Sequence, residues 1–313
     1  PDTTDPDALL ALLQQPGATY QVPVSAQRSV SIDAASLHYE RKRPTEPLPH
    51  PNTMLLRLTD DVGATLAEEE YYSVGGGFIQ RKGEAPEAAQ DSLSRPGGIA
   101  VPFPYTTFKE LRAHLETASA ARPGLSLTDV LLANEQAISG LSVKEINAKL
   151  DQILEVMHRA VRRGLRHKGV LPGNIKLRRK APVLYQQAKT LANASDSFLI
   201  FLNAYCLAAS EENAAGGIVV TAPTSGASGV IPGLTYLARH HFHYDKATLR
   251  AGMWAAAAVG FLVKHNASIS GAEMGCMGEV GTASAMGAAL LTHGAGKSLS
   301  AVEAAAEIGI EHH

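Results

Sequence analysis

"SVKEINAKLDQILEVMHRAVRRGLRHKG", residues 142–169, decides the fold. Ile146, Leu150, Leu154, Met157 and Val161 recur at spacings of three and four, which lines one stripe of a long amphipathic helix. Ser142 stands three residues before Glu145, a spacing that lets hydroxyl and carboxylate satisfy each other's backbone amides at a helix start. Ser126 and Asp129 repeat the device ahead of a second helical stretch, and from Thr107 onward the apolar spacing stays helical. The chain over 105–313 therefore reads as mostly α.

Upstream the texture changes. "TYQVPV" (19–24), "SVSID" (29–33), "TMLLRLTD" (53–60) and "EEEYYSVGGGFIQRK" (68–82) alternate apolar and polar residues between proline and polar breaks, as strands do. Residues 81–104 are rich in proline, glycine and charge, and read as a linker. The expectation is an α+β chain: a small α/β unit over 1–80, a linker over 81–104 and a helical unit over 105–313.

Composition narrows the partners. A length of 313 residues favours two domains, and 45% hydrophobic residues suffice for a sizeable core. With 28 basic and 30 acidic side chains, the net charge of −2 offers no general attraction to nucleic acid or an anionic membrane, so a small molecule is the expected partner. The acidic N-terminal stretch lacks the pattern of an export signal, and Cys206 and Cys276 lie too far apart to suggest a disulfide framework; a reducing cytoplasm is expected. "AGMWAAAAVGFLV" (251–263) is too short to span a bilayer and reads as a buried helix.

Three stretches interrupt the helical pattern. "LPGNIKLRRKAP" (171–182) carries Lys176, Arg178, Arg179 and Lys180, read as a solvated charged face in preference to an anion site. "VVTAPTSGASGVIP" (219–232) brings Thr221, Thr224, Ser225 and Gly226 to a helix start, where free amides and hydroxyls suit a carboxylate or phosphate, or simply cap the helix. Neither spacing of a nucleotide-binding glycine loop is present. "NASISGAEMGCMGEVG" (266–281) sets Cys276 between Glu273 and Glu279 among glycines that each cost a helix about 1 kcal/mol relative to alanine. That setting points to a turn and favours a metal thiolate over a packed core thiol.

"YYSVGGGFI", "LANE", "EENAAGG", "VVTAPTSGASGVIP" and "NASISGAEMGCMGEVG", in this order, closely resemble the bacterial iron–sulfur L-serine dehydratases. The resemblance implies a regulatory-type α/β domain followed by an all-α catalytic domain, with L-serine as the small-molecule substrate, and a homodimer. It implies a [4Fe-4S] cluster held by three cysteines, with no pyridoxal phosphate. Cys276 corresponds to the first ligand. The other two ligands, and a serine-rich substrate motif, would fall beyond the two ends of this sequence. Ser225 stands where the resemblance leads one to expect asparagine, and Met277 where glutamine is common.

The implied reaction is β-elimination of the L-serine hydroxyl to give pyruvate and ammonia, with the open iron as Lewis acid. Thr221, Thr224, Ser225, Gly226, Asn266 and Ser268 are the expected substrate-binding residues. Glu273 and Glu279 are candidates for proton transfer or for orienting a ligand, and Asn213 for support behind the site. The competing expectation is an amino-acid sensor whose helical part is not catalytic. Cys206, on an apolar helix, reads as core.

Overall fold

The computed structural model describes residues 17–25, 27–38, 48–50, 52–60, 62–75, 78–84, 99–121, 125–191, 194–269, 274–275 and 277–312, with positions 8, 11 and 15. Its architecture is α+β, strands first and helices after. Strands β1 (Thr19–Ser25) and β2 (Arg28–Asp33) form an antiparallel hairpin. Strands β3 (Thr53–Thr59), β4 (Thr65–Gly75) and β5 (Phe78–Arg81) form an antiparallel meander in the order β3-β4-β5. The charged run of β4 is explained by register: Glu68 lies directly opposite Arg57 and bonds it, while Glu69 pairs with Arg81 of β5 and Glu70 with Lys82 just after it. These exposed pairs favour one pairing register more than they add stability.

The helical part comprises, among the described residues, α1 (Phe108–Ala121), α2 (Leu127–Ser139), α3 (Val143–Gly164), α4 (Ala181–Thr190), α5 (Ala194–Ala214), α6 (Val230–His241), α7 (Lys246–Asn266), α8 (Thr282–Gly294) and α9 (Leu299–Glu311). Both capping boxes form: Ser126 with Asp129 opens α2 and Ser142 with Glu145 opens α3. The stripe of α3 is buried at Ile146, Leu154, Met157 and Val161. The apolar run 251–263 lies within α7, with Ala255, Ala256, Ala258 and Val259 in the core. No helix among the described residues is long and apolar enough to cross a membrane.

Small residues set the helix spacing. Helix α8 packs along α7 and α9, and α5 lies among α3, α4 and α6. At the α3–α5 crossing a Cβ on Gly164 would overlap the backbone of Ala208, so the two helices meet backbone to backbone. The main core joins Leu111 of α1, Val130 and Leu131 of α2, Met157 of α3, Ile231 of α6 and the inner faces of α7, α8 and α9. Asn134 ties the segment before α1 to this core: its side chain accepts from Phe103 N at 2.9 Å and donates to Phe103 O at 2.7 Å. Cys206 is a half-buried packing residue of α5, as expected from its helix: its Sγ lies against Gly233 of α6, and burial pushes its thiol up to about 12.

Candidate functional site

The end of α5 organises the site. Ala204, Tyr205, Ala208 and Ala209 are buried, and the same inward phase continues into Glu211 and Glu212, so the helix carries two carboxylates into the interior. Buried carboxylates must be hydrogen-bonded or paired, and both are. Glu211 accepts from the backbone amides of Lys180 (2.5 Å) and Ala181 (3.3 Å), supplying from another helix the N-terminal cap that α4 lacks in its own sequence. Glu212 receives Arg179 at 2.7 Å, His167 at 3.1 Å and Arg163 at 3.2 Å. It thereby joins the end of α3, the segment before α4 and the end of α5.

This corrects one expectation. Arg179 is not part of a solvated charged face: its side chain is only 8% exposed and is committed to Glu212. The sequence around it gives no sign of a carboxylate that arrives from 33 residues away. The useful signal lay in α5, where acids occupy positions that the apolar phase marks as buried.

Asn213, next in line, reaches the glycine-rich loop. Its Nδ2 donates to the carbonyl of Ser225 at 3.0 Å, and the amide of Ser228 donates to the same oxygen at 3.2 Å. The loop runs from Val219 to Gly229 between α5 and α6, with a cis peptide bond at Ala222–Pro223. Among the described residues the amides of Gly226 and Ala227 donate to no group. They lie just ahead of α6, where unpaired N–H groups and the helix dipole favour an anion.

A carboxylate faces this loop. Met277–Gly281 forms a single π-type turn leading into α8, an element often found at functional sites. Its register carries Glu279 onto the loop, where Thr224 Oγ1 donates to Glu279 Oε2 at 2.8 Å. Thr224 is buried, 3% exposed, and Glu279 is half-buried. Gly226 must be glycine for this approach, because a Cβ there would overlap the Glu279 carboxylate. Thr282 steadies the turn by donating to Gly278 O at 2.9 Å.

Of the sequence-predicted residues, the structure therefore brings together Thr224, Gly226 and Glu279, with Ser225 held from behind by Asn213. Thr221 is exposed on the loop ahead of them. Asn266 is engaged elsewhere, donating to Leu262 O at 2.9 Å and Thr106 O at 2.8 Å, which closes α7 against the segment before α1. Ser268 follows that closure. Glu273 and Cys276 lie outside the described residues. Gly275, just before the π turn, has a positive φ of 65°, in keeping with the turn expected there.

A three-cysteine iron–sulfur cluster does not fit these 313 residues alone. Only two cysteines are present, and no group of three or more His, Cys, Asp or Glu among the described residues is arranged to hold a metal ion.

The fold and site thus define an α+β protein whose helical part opposes hydroxyl and amide donors to the Glu279 carboxylate across a short loop. Comparison with known proteins identifies the family. The model described as "Serine dehydratase alpha chain" matches residues 122–313, and that described as "Serine dehydratase beta chain" matches residues 1–84. The chain belongs to the serine dehydratase family. It is 36% identical over its whole length to L-serine dehydratase 2 of Escherichia coli, of which it covers 66%, and 35% identical to L-serine dehydratase of Haemophilus influenzae, of which it covers 67%. It is 40% identical over 84% of its length to L-serine dehydratase of Streptomyces coelicolor, covering 56% of that protein. The chain thus spans between about half and two thirds of the length of these relatives.

Proposed function

We propose that the protein to which these residues belong deaminates L-serine to pyruvate and ammonia. The observation that carries this reading is the contact of Glu279 with Thr224 and Gly226, within the helical part matched by the alpha-chain model. L-Serine is a zwitterion with a hydroxyl, and the loop offers both halves of its complement. The amides of Gly226 and Ala227, with the hydroxyls of Thr221 and Ser225, are suited to the α-carboxylate. Glu279, oriented by Thr224, is suited to the ammonium and to the proton that leaves the α-carbon.

In the same reading Glu273 serves proton transfer or orients a ligand and Ser268 contacts the substrate, whereas the Asn266 amide is spent on Leu262 O and Thr106 O and is not counted among them. Hydroxide is a poor leaving group, so the elimination needs an electrophile that these residues do not contain. A [4Fe-4S] cluster with Cys276 as one ligand is the group we assign to that role, and it would supply Lewis-acid chemistry at the β-oxygen. Pyridoxal phosphate has no place in this reading. A homodimer and a regulatory role for the strand-rich part complete the proposal.

The test is anaerobic reconstitution of the full-length protein with iron and sulfide, followed by a pyruvate assay on L-serine for wild type and Cys276→Ala. Turnover by wild type, with both cluster absorbance and activity lost in the variant, is the expected result. A variant that keeps its cluster and its rate removes Cys276 from the site.

A further inference from the structure

We infer that Asn213 is a positioning residue for the substrate-carboxylate donors, acting through the Ser225–Gly226 peptide; this rests on the proposal that L-serine binds at the Thr224–Gly226 loop. In a trans peptide the carbonyl and the following N–H point in opposite directions. The Ser225 carbonyl accepts from the Ser228 amide at 3.2 Å and from Asn213 at 3.0 Å; it is Asn213 that draws it toward the end of α5 and so turns the Gly226 N–H away from α5. That N–H meets no acceptor among the described residues, nor does the next one at Ala227.

Asn213 is fit for this task because its neighbours in sequence are fixed. Glu211 caps α4 and Glu212 gathers Arg163, His167 and Arg179, so the last turn of α5 has little freedom to drift. The side-chain amide then transmits a buried framework to the exposed Ser225–Gly226 peptide. The same loop bears on Glu279 through Thr224 and through the bare Cα of Gly226. A rotation of the Ser225–Gly226 peptide would consequently misplace the carboxylate donors more than it would disturb Glu279, whose own hydrogen bond comes from Thr224.

Asn213→Asp is close to isosteric but sets a carboxylate oxygen against the Ser225 carbonyl, acceptor against acceptor, and forces the peptide to turn. Asn213→Ala removes the donor without the repulsion, and alanine is well accepted in a last helical turn. With the full-length protein, KM and kcat for L-serine are measured alongside the calorimetric dissociation constant of L-serine on the cluster-free form and the thermal midpoint of each variant. The expected result is a rise in KM and in the dissociation constant of about tenfold for Asn213→Asp, and a smaller rise for Asn213→Ala, with kcat changed less than about threefold.

Unchanged affinity in both variants overturns the inference, as does a fall in kcat at constant KM. Loss of the thermal transition in both variants also overturns it, since Asn213 would then serve folding alone. A wild type that neither binds nor turns over L-serine defeats the functional proposal itself. A working wild type beside unaltered variants defeats only the role of Asn213.

Discussion

Replacing Glu212 by alanine tests whether the buried ion cluster holds the helical part together. The Glu212 side chain is 2% exposed and receives Arg179 (8% exposed), Arg163 (25%) and His167 (37%). Removing the carboxylate leaves two guanidinium groups side by side, one of them almost without water. Breaking a buried pair by deleting one partner costs about 3–5 kcal/mol, chiefly because the remaining charge is stranded. For a cooperative unit of this size each kcal/mol lowers the midpoint by roughly 2–4 °C, so the lower bound of about 3 kcal/mol corresponds to roughly 6–12 °C.

The assay is thermal unfolding followed by far-ultraviolet circular dichroism, at low salt and again at high salt. A buried cluster is screened little, so the loss should persist at high salt, whereas a surface pair would lose its effect there. Glu212→Gln keeps an acceptor for Arg179 and should lose less than the alanine variant. A midpoint within about 2 °C of wild type, or a deficit that vanishes with salt, would refute the assignment of Glu212 as the joint between α3, α4 and α5.

Three further outcomes are expected. Gly164→Ala should destabilise by about 1–3 kcal/mol in denaturant unfolding, toward the upper end because the new methyl meets the Ala208 backbone, which no rotamer change relieves; a neutral effect would mean that α3 and α5 cross less closely. Gly226→Ala should lower L-serine turnover by about a hundredfold, roughly the loss of one well-placed electrostatic contact, with the thermal midpoint unchanged, since its methyl displaces the Glu279 carboxylate at an exposed loop; full activity would separate Glu279 from the chemistry. His158 is held down to about 4 by burial first and by the neighbouring Arg239 second. Its folded value lies below the unfolded value near 6.5, so the unfolded chain takes up the proton first. Its contribution is complete above about pH 6.5 and is lost as pH falls toward about 4, amounting to about 3 kcal/mol. Stability measured across that window should flatten in His158→Gln; an unchanged slope would assign the acid sensitivity to other groups.

Local rules carried much of the helical part. The capping pairs Ser126–Asp129 and Ser142–Glu145 are complete within four residues, and the stripe of α3 needs only its own period to show which face is buried. The strand-rich beginning was legible in the same way, from alternation between breaks. The loop before α6 was visible as an interruption, and Glu279 as an acid among glycines.

What local pattern could not supply was the meeting of distant groups. Arg179 sits in a run of bases that looks like any solvated face, and only the packing of α3, α4 and α5 puts Glu212 against it. Asn213 resembles an ordinary polar helix end until the loop folds back and presents the Ser225 carbonyl. Asn266 looked like a candidate ligand contact and proves to be a closing bond between α7 and the segment before α1. The sequence by itself thus determined the elements, the two kinds of texture and the stretches where chemistry concentrates, because capping, periodicity and turn preference act over a few residues. The tertiary structure alone decided which charges neutralise one another and that Glu279 rests on Thr224 and Gly226, because burial and hydrogen bonding between segments 30 to 55 residues apart arise only when the helices pack.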